Sequence, residues 1–514
     1  MHAEQAYLFR HALLRDAAYQ LQLPADRGQL HGLALAAIES VLGGPPPAPA
    51  DDDLPASDRW SPHPMDSSAA ELAHHAALAL QADSPPNPAL RDARRLYLHR
   101  AAGHAEQQLA LRSAIVLWRE LAAETDGKLS AMCLRRAALS AEATGDITSA
   151  HALFKAALVA YRALGLRLNE GVALGNLAGL FAARGDIEQA EKHYQQALAI
   201  HRELDNRRSV AIMLGNLANL CKDTGRAAQA EELYQQALAH HRQDNDRNGE
   251  AIVLGNLAEL WQSLGRTADA ERTFEQALAM HRASGKRRYQ AMVGSTLAVL
   301  YYQTGRPPLA FEQIAQAIAV FREIEDRPGL TVTLANLATM RAQTGDLAQA
   351  ERDALEALEL AQEMGRRRLV AGTLMTLADI YVRTGRAAQA EPMFRRTIAI
   401  MRALKDSHSE AQSKAALASL LGEQGQLDAA DALFTEALAA LQALKFLRDE
   451  GAVHCDHALV ALARGDLALA RQRWQRGQGM LAEAGDEVER RLKREAMRNA
   501  CAAAGMALLD SDTT

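Results

Sequence analysis

GNLAGLFAARGDIEQAEKHYQQALAI (residues 175–200) is followed in the same phase by GNLANLCKDTGRAAQAEELYQQALAH (215–240), and then by GNLAELWQSLGRTADAERTFEQALAM (255–280). That phase runs far beyond the three stretches. Glycine recurs at Gly145, Gly185, Gly225, Gly265, Gly305, Gly345, Gly385, Gly425 and Gly465, every step being 185 − 145 = 40, without insertion or deletion. Self-similarity at a fixed period of this size predicts a repeat array, in which each unit buries its apolar face only against its neighbours.

Seven positions before each glycine stands an alanine (Ala138, Ala178, Ala218 and onward to Ala458), and five after it another (Ala150, Ala190, Ala230 and onward to Ala470). Alanine favours helix and has a very small side chain, so matched alanines allow two helices to approach closely. Nine positions after the glycine the chain places Phe154, Tyr194, Tyr234, Phe274, Ile314, Phe394 and Phe434, with Ala354 and Trp474 as exceptions. Leu174, Leu177, Ala178 and Phe181 follow helical spacing, as do Ala190, Tyr194, Ala197 and Leu198. Strand-like alternation is absent. Each unit therefore reads as helix, tight turn at the glycine, helix.

These motifs resemble tetratricopeptide repeats, in particular the longer repeats of kinesin light chain and of bacterial regulatory proteins. The resemblance rests on the leucine–alanine pair of the first helix, the turn glycine, the following alanine, and the aromatic–x–x–alanine of the second helix. It implies an all-α fold, a right-handed superhelical solenoid of stacked helical hairpins whose first helices line a concave, partner-binding face. The usual period is about 34 residues. The six extra positions here are expected in longer helices and in the turn between units.

The expected organisation has five parts. Residues 1–42 form a helical or winged-helix-like remnant, 43–68 a flexible Pro/Asp/Ser linker, and 69–128 degenerate helical pairs. Residues 129–482 carry nine repeats, and 483–514 a capping helix with a disordered tail. The linker, GGPPPAPADDDLPASDRWSPHPMDSS, is too poor in apolar residues to offset the entropy of ordering. Near the start, Phe9, Arg10, His11, Leu13, Ala18, Tyr19, Leu30 and His31 resemble the end of the ATPase region in bacterial STAND signal-transduction ATPases. That resemblance implies a sensory or autoinhibitory arm for a separate ATPase or transcriptional regulator. The alternative is a helical pair that only caps the array. No P-loop motif GxxxxGK[ST] occurs; Gly285-Lys286 is followed by Arg287.

Composition agrees with a helical array. The chain has 514 residues, 48% of them hydrophobic but only 4% aromatic, and a net charge of −6. That acidity argues against clamping nucleic-acid phosphates, and no apolar run is long enough to cross a bilayer. Cys133, Cys221, Cys455 and Cys501 lack CxxC spacing, so the expectation is a reducing, cytoplasmic setting, with Cys221 in the core. Neither catalytic motif nor cofactor nor metal-ligand spacing is found, and a perfectly phased array leaves no insert for a catalytic loop. The reading is a non-catalytic scaffold that binds a protein or extended peptide, not nucleic acid or membrane.

Binding candidates fall on the first helices. Nine positions before the glycine stand Asn176, Asn216, Asn256 and Asn336, with Thr296, Thr376, Ala416 and Asp456 elsewhere. A side-chain amide pairs with a peptide backbone without reading its sequence; alternatively each asparagine bonds a neighbouring helix. Asn219, Lys222, Glu259, Gln262, Tyr302, Gln343, Asp379 and Arg383 complete the candidate groove, with Asp223 beside them. Small residues at Gly175, Gly215, Gly255, Ser295, Ala335 and Ala415 would leave room for a partner or let the superhelix coil tightly. Arg167, Arg207, Arg247, Arg287, Arg327 and Arg367 form a turn ladder, read as pairing with acids of adjacent units. His201, His241 and His281 are read as helix C-terminal caps.

Overall fold

A computed structural model describes residues 23–47, 61–82, 87–484 and 486–506. The chain divides into two compact units, residues 1–173 and 174–514. The first holds α1 (Pro24–Val41), α2 (Ala69–Ala82), α3 (Pro88–Gln107), α4 (Leu111–Glu124), α5 (Gly127–Thr144), α6 (Ile147–Ala163) and the start of α7 (Arg167–Ala183). The second continues through α8 (Ile187–Glu203), α9 (Arg207–Asp223), α10 (Ala227–Gln243), α11 (Arg247–Ser263), α12 (Thr267–Ala283), α13 (Arg287–Gln303), α14 (Pro307–Glu323), α15 (Arg327–Gln343) and α16 (Leu347–Glu363). It ends with α17 (Arg367–Arg383), α18 (Ala387–Ala403), α19 (Ser407–Glu423), α20 (Leu427–Leu444), α21 (Leu447–Ala463), α22 (Leu467–Glu483) and α23 (Glu487–Ala503). No strand occurs among the described residues.

The period splits into two equal halves: first helices begin at Arg167, Arg207 and Arg247, and second helices midway between them at Ile187, Ala227 and Thr267. From α7 on, a helix of 17 residues alternates with a turn of three, and only α20 is one residue longer. The positions beyond the usual period therefore lengthen the helices; the inter-unit turn, expected to absorb some of them, is no longer than the glycine turn. Each turn needs a middle residue in the left-handed region. Gly185, Gly225 and their equivalents supply it within units (φ 70–88° from Gly185 to Gly465). Between units the same role falls to Gly165, Asp205, Asn245, Gly285, Glu325, Gly365, Lys405 and Lys445. Many helices then start on a capping side chain: Asp186 accepts from the Gln189 N–H at 3.3 Å, Asn206 from Ser209 at 3.1 Å, and Asp246 from Gly249 at 3.0 Å.

Both alanine ladders lie at the helix–helix crossings, and Ala178, Ala190, Ala218, Ala230, Ala258 and Ala270 all have 0% exposure. The ring row packs beside them, with Tyr234, Phe274, Phe394 and Phe434 at 1% or less. The histidines correct the capping expectation. His201 and His281 are wholly buried, in the slot that Tyr161, Phe321, Met401 and Leu441 fill elsewhere, and neither ring nitrogen of either has a hydrogen-bond partner among the described residues. Burial holds both below the usual imidazole range. His241 differs in meeting Asp246 at 3.1 Å.

Two further expectations change at the edges of the array. The linker expected over 43–68 is in part a packed piece. Met65 is buried in the apolar core with Leu72 and Tyr97, and buried Asp66 forms an ion pair of 2.6 Å with Arg100 and accepts from the His63 N–H at 2.8 Å. Residues 48–60 lie outside the described residues. At the far end the period persists where the sequence motif fades: α23 starts in phase with α21, Gly505 (φ 67°) is in register with Gly465, and Met497 and Cys501 pack with Trp474. Phe9, Arg10, His11, Leu13, Ala18 and Tyr19 lie outside the described residues; Leu30 and His31 sit on α1, Leu30 48% exposed and His31 near His75.

An L-residue in the left-handed region is strained by about 1–2 kcal/mol, while glycine's extra freedom in the unfolded chain returns up to about 1 kcal/mol of that. Glu325→Gly and Lys405→Gly should each raise stability, by up to about 1 kcal/mol, in urea denaturation. Acid tests the buried histidines. Unfolded histidine titrates at about 6.5, so the stability gained by keeping His201 and His281 neutral is complete above that pH and lost as pH falls below it. The double variant His201→Phe/His281→Phe should therefore lose less stability between pH 7 and pH 5 than the wild type; an equal loss in both would refute the assignment.

Candidate functional site

In the second unit, successive first helices lie directly against one another, as α13, α15 and α17 do, whereas the second helices have no comparable mutual packing. The first helices therefore form the inner wall of the curved stack. This wall turns far enough for its beginning to meet its end: a side chain at Gly185 would sit 3.4 Å from Leu444, and one at Gly225 would meet Leu447 and Ala484.

One face of each first helix looks onto that wall. On α9 it carries Ile212, Asn216, Asn219 and Asp223, spaced four, three and four apart, which is a single helical stripe. The equivalent rows are Ile252, Asn256, Glu259 and Ser263 on α11, and Val332, Asn336, Thr339 and Gln343 on α15. On α17 the row is Gly372, Thr376, Asp379 and Arg383. Each predicted residue is on or beside this wall, and several are joined across units. Lys222 donates to Glu259 at 2.8 Å, Gln262 to Gln303 at 2.6 Å, and Asn336 to Ser295 at 3.5 Å. Within a unit, the Tyr234 hydroxyl donates to Asn219 at 2.5 Å. Tyr302 and Arg383 are near enough to interact electrostatically, and Gln343 is exposed.

The asparagines differ among themselves. Asn216 and Asn256 are half-buried and make no side-chain hydrogen bond among the described residues, whereas Asn176 has a partner. The small residues beside them face the neighbouring helix rather than the groove. A side chain at Gly175 would come within 2.9 Å of Met213, and those at Gly215 and Gly255 would lie 3.8 and 3.6 Å from Val253 and Val293. They permit close stacking of first helices, which removes them from the groove.

Charge on the wall is uneven. Arg208, Arg288 and Arg448 each pair with the capping aspartate of the next unit, at 3.8 Å to Asp246, 2.6 Å to Asp326 and 2.7 Å to Asp486, and Arg368 likewise pairs with Asp406. Lys493 holds Asp456 at 2.8 Å. The carboxylates of Asp223, Asp379 and Glu423 have no hydrogen bond or ion pair among the described residues. Crowding by the curved wall pushes all three up, Asp379 to about 6 against the opposing pull of Arg383. The turn-ladder arginines pair within their own unit rather than with an adjacent one, Arg167 with Glu170 on the same helix, and Arg287 with Glu323 and Arg327 with Glu363 on the second helix of the hairpin.

A recurrent inter-unit staple escaped the sequence reading. The residue after the turn glycine is arginine in four units: Arg226, Arg266, Arg306 and Arg386 each reach a glutamate of the preceding unit, namely Glu191, Glu231, Glu271 and Glu351. Arg266, Arg306 and Arg386 also lie over Trp261, Tyr301 and Tyr381, at 4.6, 4.7 and 4.2 Å from the ring centroids. The staple is missing where Phe311 replaces the glutamate and Asp346 the arginine. There Arg341 occupies the ring slot and pairs with buried Asp353, beside a cleft of about 690 Å³. The arginine–glutamate spacing was present in the sequence, hidden inside the stronger glycine and alanine period.

No group of three or more His, Cys, Asp or Glu suited to a metal ion occurs among the described residues, and no helix there is long and apolar enough to cross a membrane. Stacked helical hairpins around an inner wall of amides define a repeat scaffold. The chain belongs to the tetratricopeptide repeat family, whose model matches residues 129–203, 209–283, 289–363 and 369–443. Among solved structures it is similar to a Rap protein complexed with competence and sporulation factor, at 17% identity over 66% of this chain and 97% of that one, TM-score 0.48. Aspartyl phosphate phosphatase F from Bacillus subtilis is 14% identical over 67% of this chain and 93% of its own, TM-score 0.45. A putative kinesin light chain repeat protein from Podosopora anserina is 19% identical over 37% and 94%, TM-score 0.31. No curated protein matches the chain.

The staple is open to a stability test. Arg306→Lys keeps the charge but loses the two-pronged grip on Glu271 and the flat stack on Tyr301. It should lower stability by about 1 kcal/mol, the scale of a partly exposed ion pair plus a surface cation–π contact. Thermal unfolding unchanged in Arg306→Lys would show the staple to be incidental.

Proposed function

We propose that this protein is a non-catalytic scaffold that holds a peptide segment of another protein along the inner wall of its second unit. Asn216 and Asn256 carry the reading. A half-buried amide with no protein partner is left to water or to a ligand, and these two make no side-chain hydrogen bond within the described chain while sitting in register on adjacent first helices. A peptide backbone offers the alternating donors and acceptors that such amides lack, and it does so whatever its side chains. The other reading of the ladder, in which each asparagine only fixes repeat geometry, is supported by Asn336 at its long contact with Ser295 but not by Asn216 or Asn256. Cys133, Cys221, Cys455 and Cys501 are buried and in no disulfide, which suits a reducing compartment such as the cytoplasm.

The test is selection of binders from a displayed library of random twelve-residue peptides on the full chain, followed by affinity measurement with the synthetic winners. Each lost amide pair is worth about 1 kcal/mol, so Asn216→Ala/Asn256→Ala should weaken binding by about tenfold or more while circular dichroism and melting stay unchanged. Equal affinity for the wild type and the double variant would overturn the proposal.

A further inference from the structure

The inner wall carries a second row that the amide ladder does not explain. Four positions before each asparagine site, one helical turn toward the helix start, stand Ile212, Ile252, Met292 and Val332. Ile212, Met292 and Val332 are 44, 47 and 48% exposed, and Ile252 is half-buried. Isolated exposed aliphatics need no explanation, but a row repeated in phase on four successive first helices is a continuous apolar strip. It stops where the amides thin out. The equivalent residues are Gly372, Gln412 and Ala452 on α17, α19 and α21, beside Thr376, Ala416 and Asp456.

Beyond the strip the wall becomes acidic. Asp379 stands in the unit that follows Val332, and Glu423 in the next, each exposed and unpaired among the described residues. Glu423 is the last residue of α19 and Asp223 the last of α9. A carboxylate there faces the negative end of the helix dipole and gains nothing from the fold. The wall's basic side chains are mostly already taken by capping aspartates and by Glu259 and Asp456, with Arg383 beside Asp379 making no ion pair among the described residues. A partner aligned on the amides would thus meet aliphatic side chains along the helix starts and, at the later units, carboxylates that hold no ion pair among the described residues.

Resting on the reading above, we infer that the occupant of this wall is an amphipathic, basic peptide segment: aliphatic side chains seated on Ile212, Ile252, Met292 and Val332, and lysine or arginine directed to Asp379 and Glu423. The amide ladder would set its course, the apolar strip its affinity, and the carboxylates its orientation and charge preference. Acidic segments are rejected by the same carboxylates.

The peptides selected on the full chain test this separately from the amide reading. Their sequences should be enriched in both aliphatic residues and lysine or arginine, with aspartate and glutamate depleted. A synthetic winner should bind Ile212→Ser/Ile252→Ser/Val332→Ser at least tenfold more weakly, and Asp379→Asn/Glu423→Gln about threefold to tenfold more weakly, the second loss shrinking at high salt. Each substituted side chain is at least partly exposed, so folding is checked by unchanged helicity. Winners of neutral or acidic composition, or winners indifferent to the serine and amide variants, would overturn the inference. If they still lost affinity on Asn216→Ala/Asn256→Ala, the amide reading would survive it; if no peptide were enriched on the wild type, both would fall.

Discussion

Close approach of two helices at their alanines is the constraint on which the second unit depends. Ala178 and Ala190, and each equivalent pair as far as Ala458 and Ala470, have no exposed surface. With only 4% aromatic residues in the chain, the core is built from small side chains at short range rather than from large ones at long range. A shift of a single residue would replace an alanine methyl by a bulkier group at the crossing. That intolerance explains why helices of 17 residues and turns of three alternate without an insertion. The left-handed turn residues are its corollary: Asp205, Glu325, Lys405 and Lys445 accept a strained backbone because a longer turn would break the phase.

Once the phase is fixed, inter-unit chemistry can repeat. Arginine after the turn glycine reaches the preceding unit's glutamate, and arginine at the start of a first helix reaches the next unit's capping aspartate. The second kind of pair consumes basic side chains of the first helices, and Asp223, Asp379 and Glu423 stay without an ion pair on the wall although cations are plentiful along the chain. The interface at Phe311 and Asp346 lacks the arginine staple, and there a cleft lies beside Arg341 and its buried partner Asp353.

Much of this was legible in the residues. The turn glycines, both alanine ladders, the ring row and the position of Cys221 required only a period and the spacing of a helix. Other features misled for identifiable reasons. His201 and His281 occupy a helix end, which suggests capping, but the slot is interior and their neighbours in phase are Tyr161 and Phe321. Gly175, Gly215 and Gly255 left two readings open, and the structure bears out tight coiling of the stack: adjacent helical residues point about 100° apart, so these do not share the asparagines' direction. They face Met213, Val253 and Val293 instead. Asp66 sits in a stretch whose composition reads as linker, yet its pair with buried Arg100 and the core packing of Met65 tie that stretch down.

The sequence by itself determined the helices, their lengths, their turns and which alanines meet, because all of these follow from interactions within one repeat period that recur in every unit. The curvature of the stack was decided only by the tertiary structure. It brought Gly185 against Leu444, crowded Asp379 and Asp223 on an inner wall, and left Asn216 and Asn256 without partners among the described residues while engaging the cations around them. The reason is physical: a small rotation between successive hairpins is set by the summed packing of many contacts, and no single period in the chain encodes what that rotation brings together after several repeats.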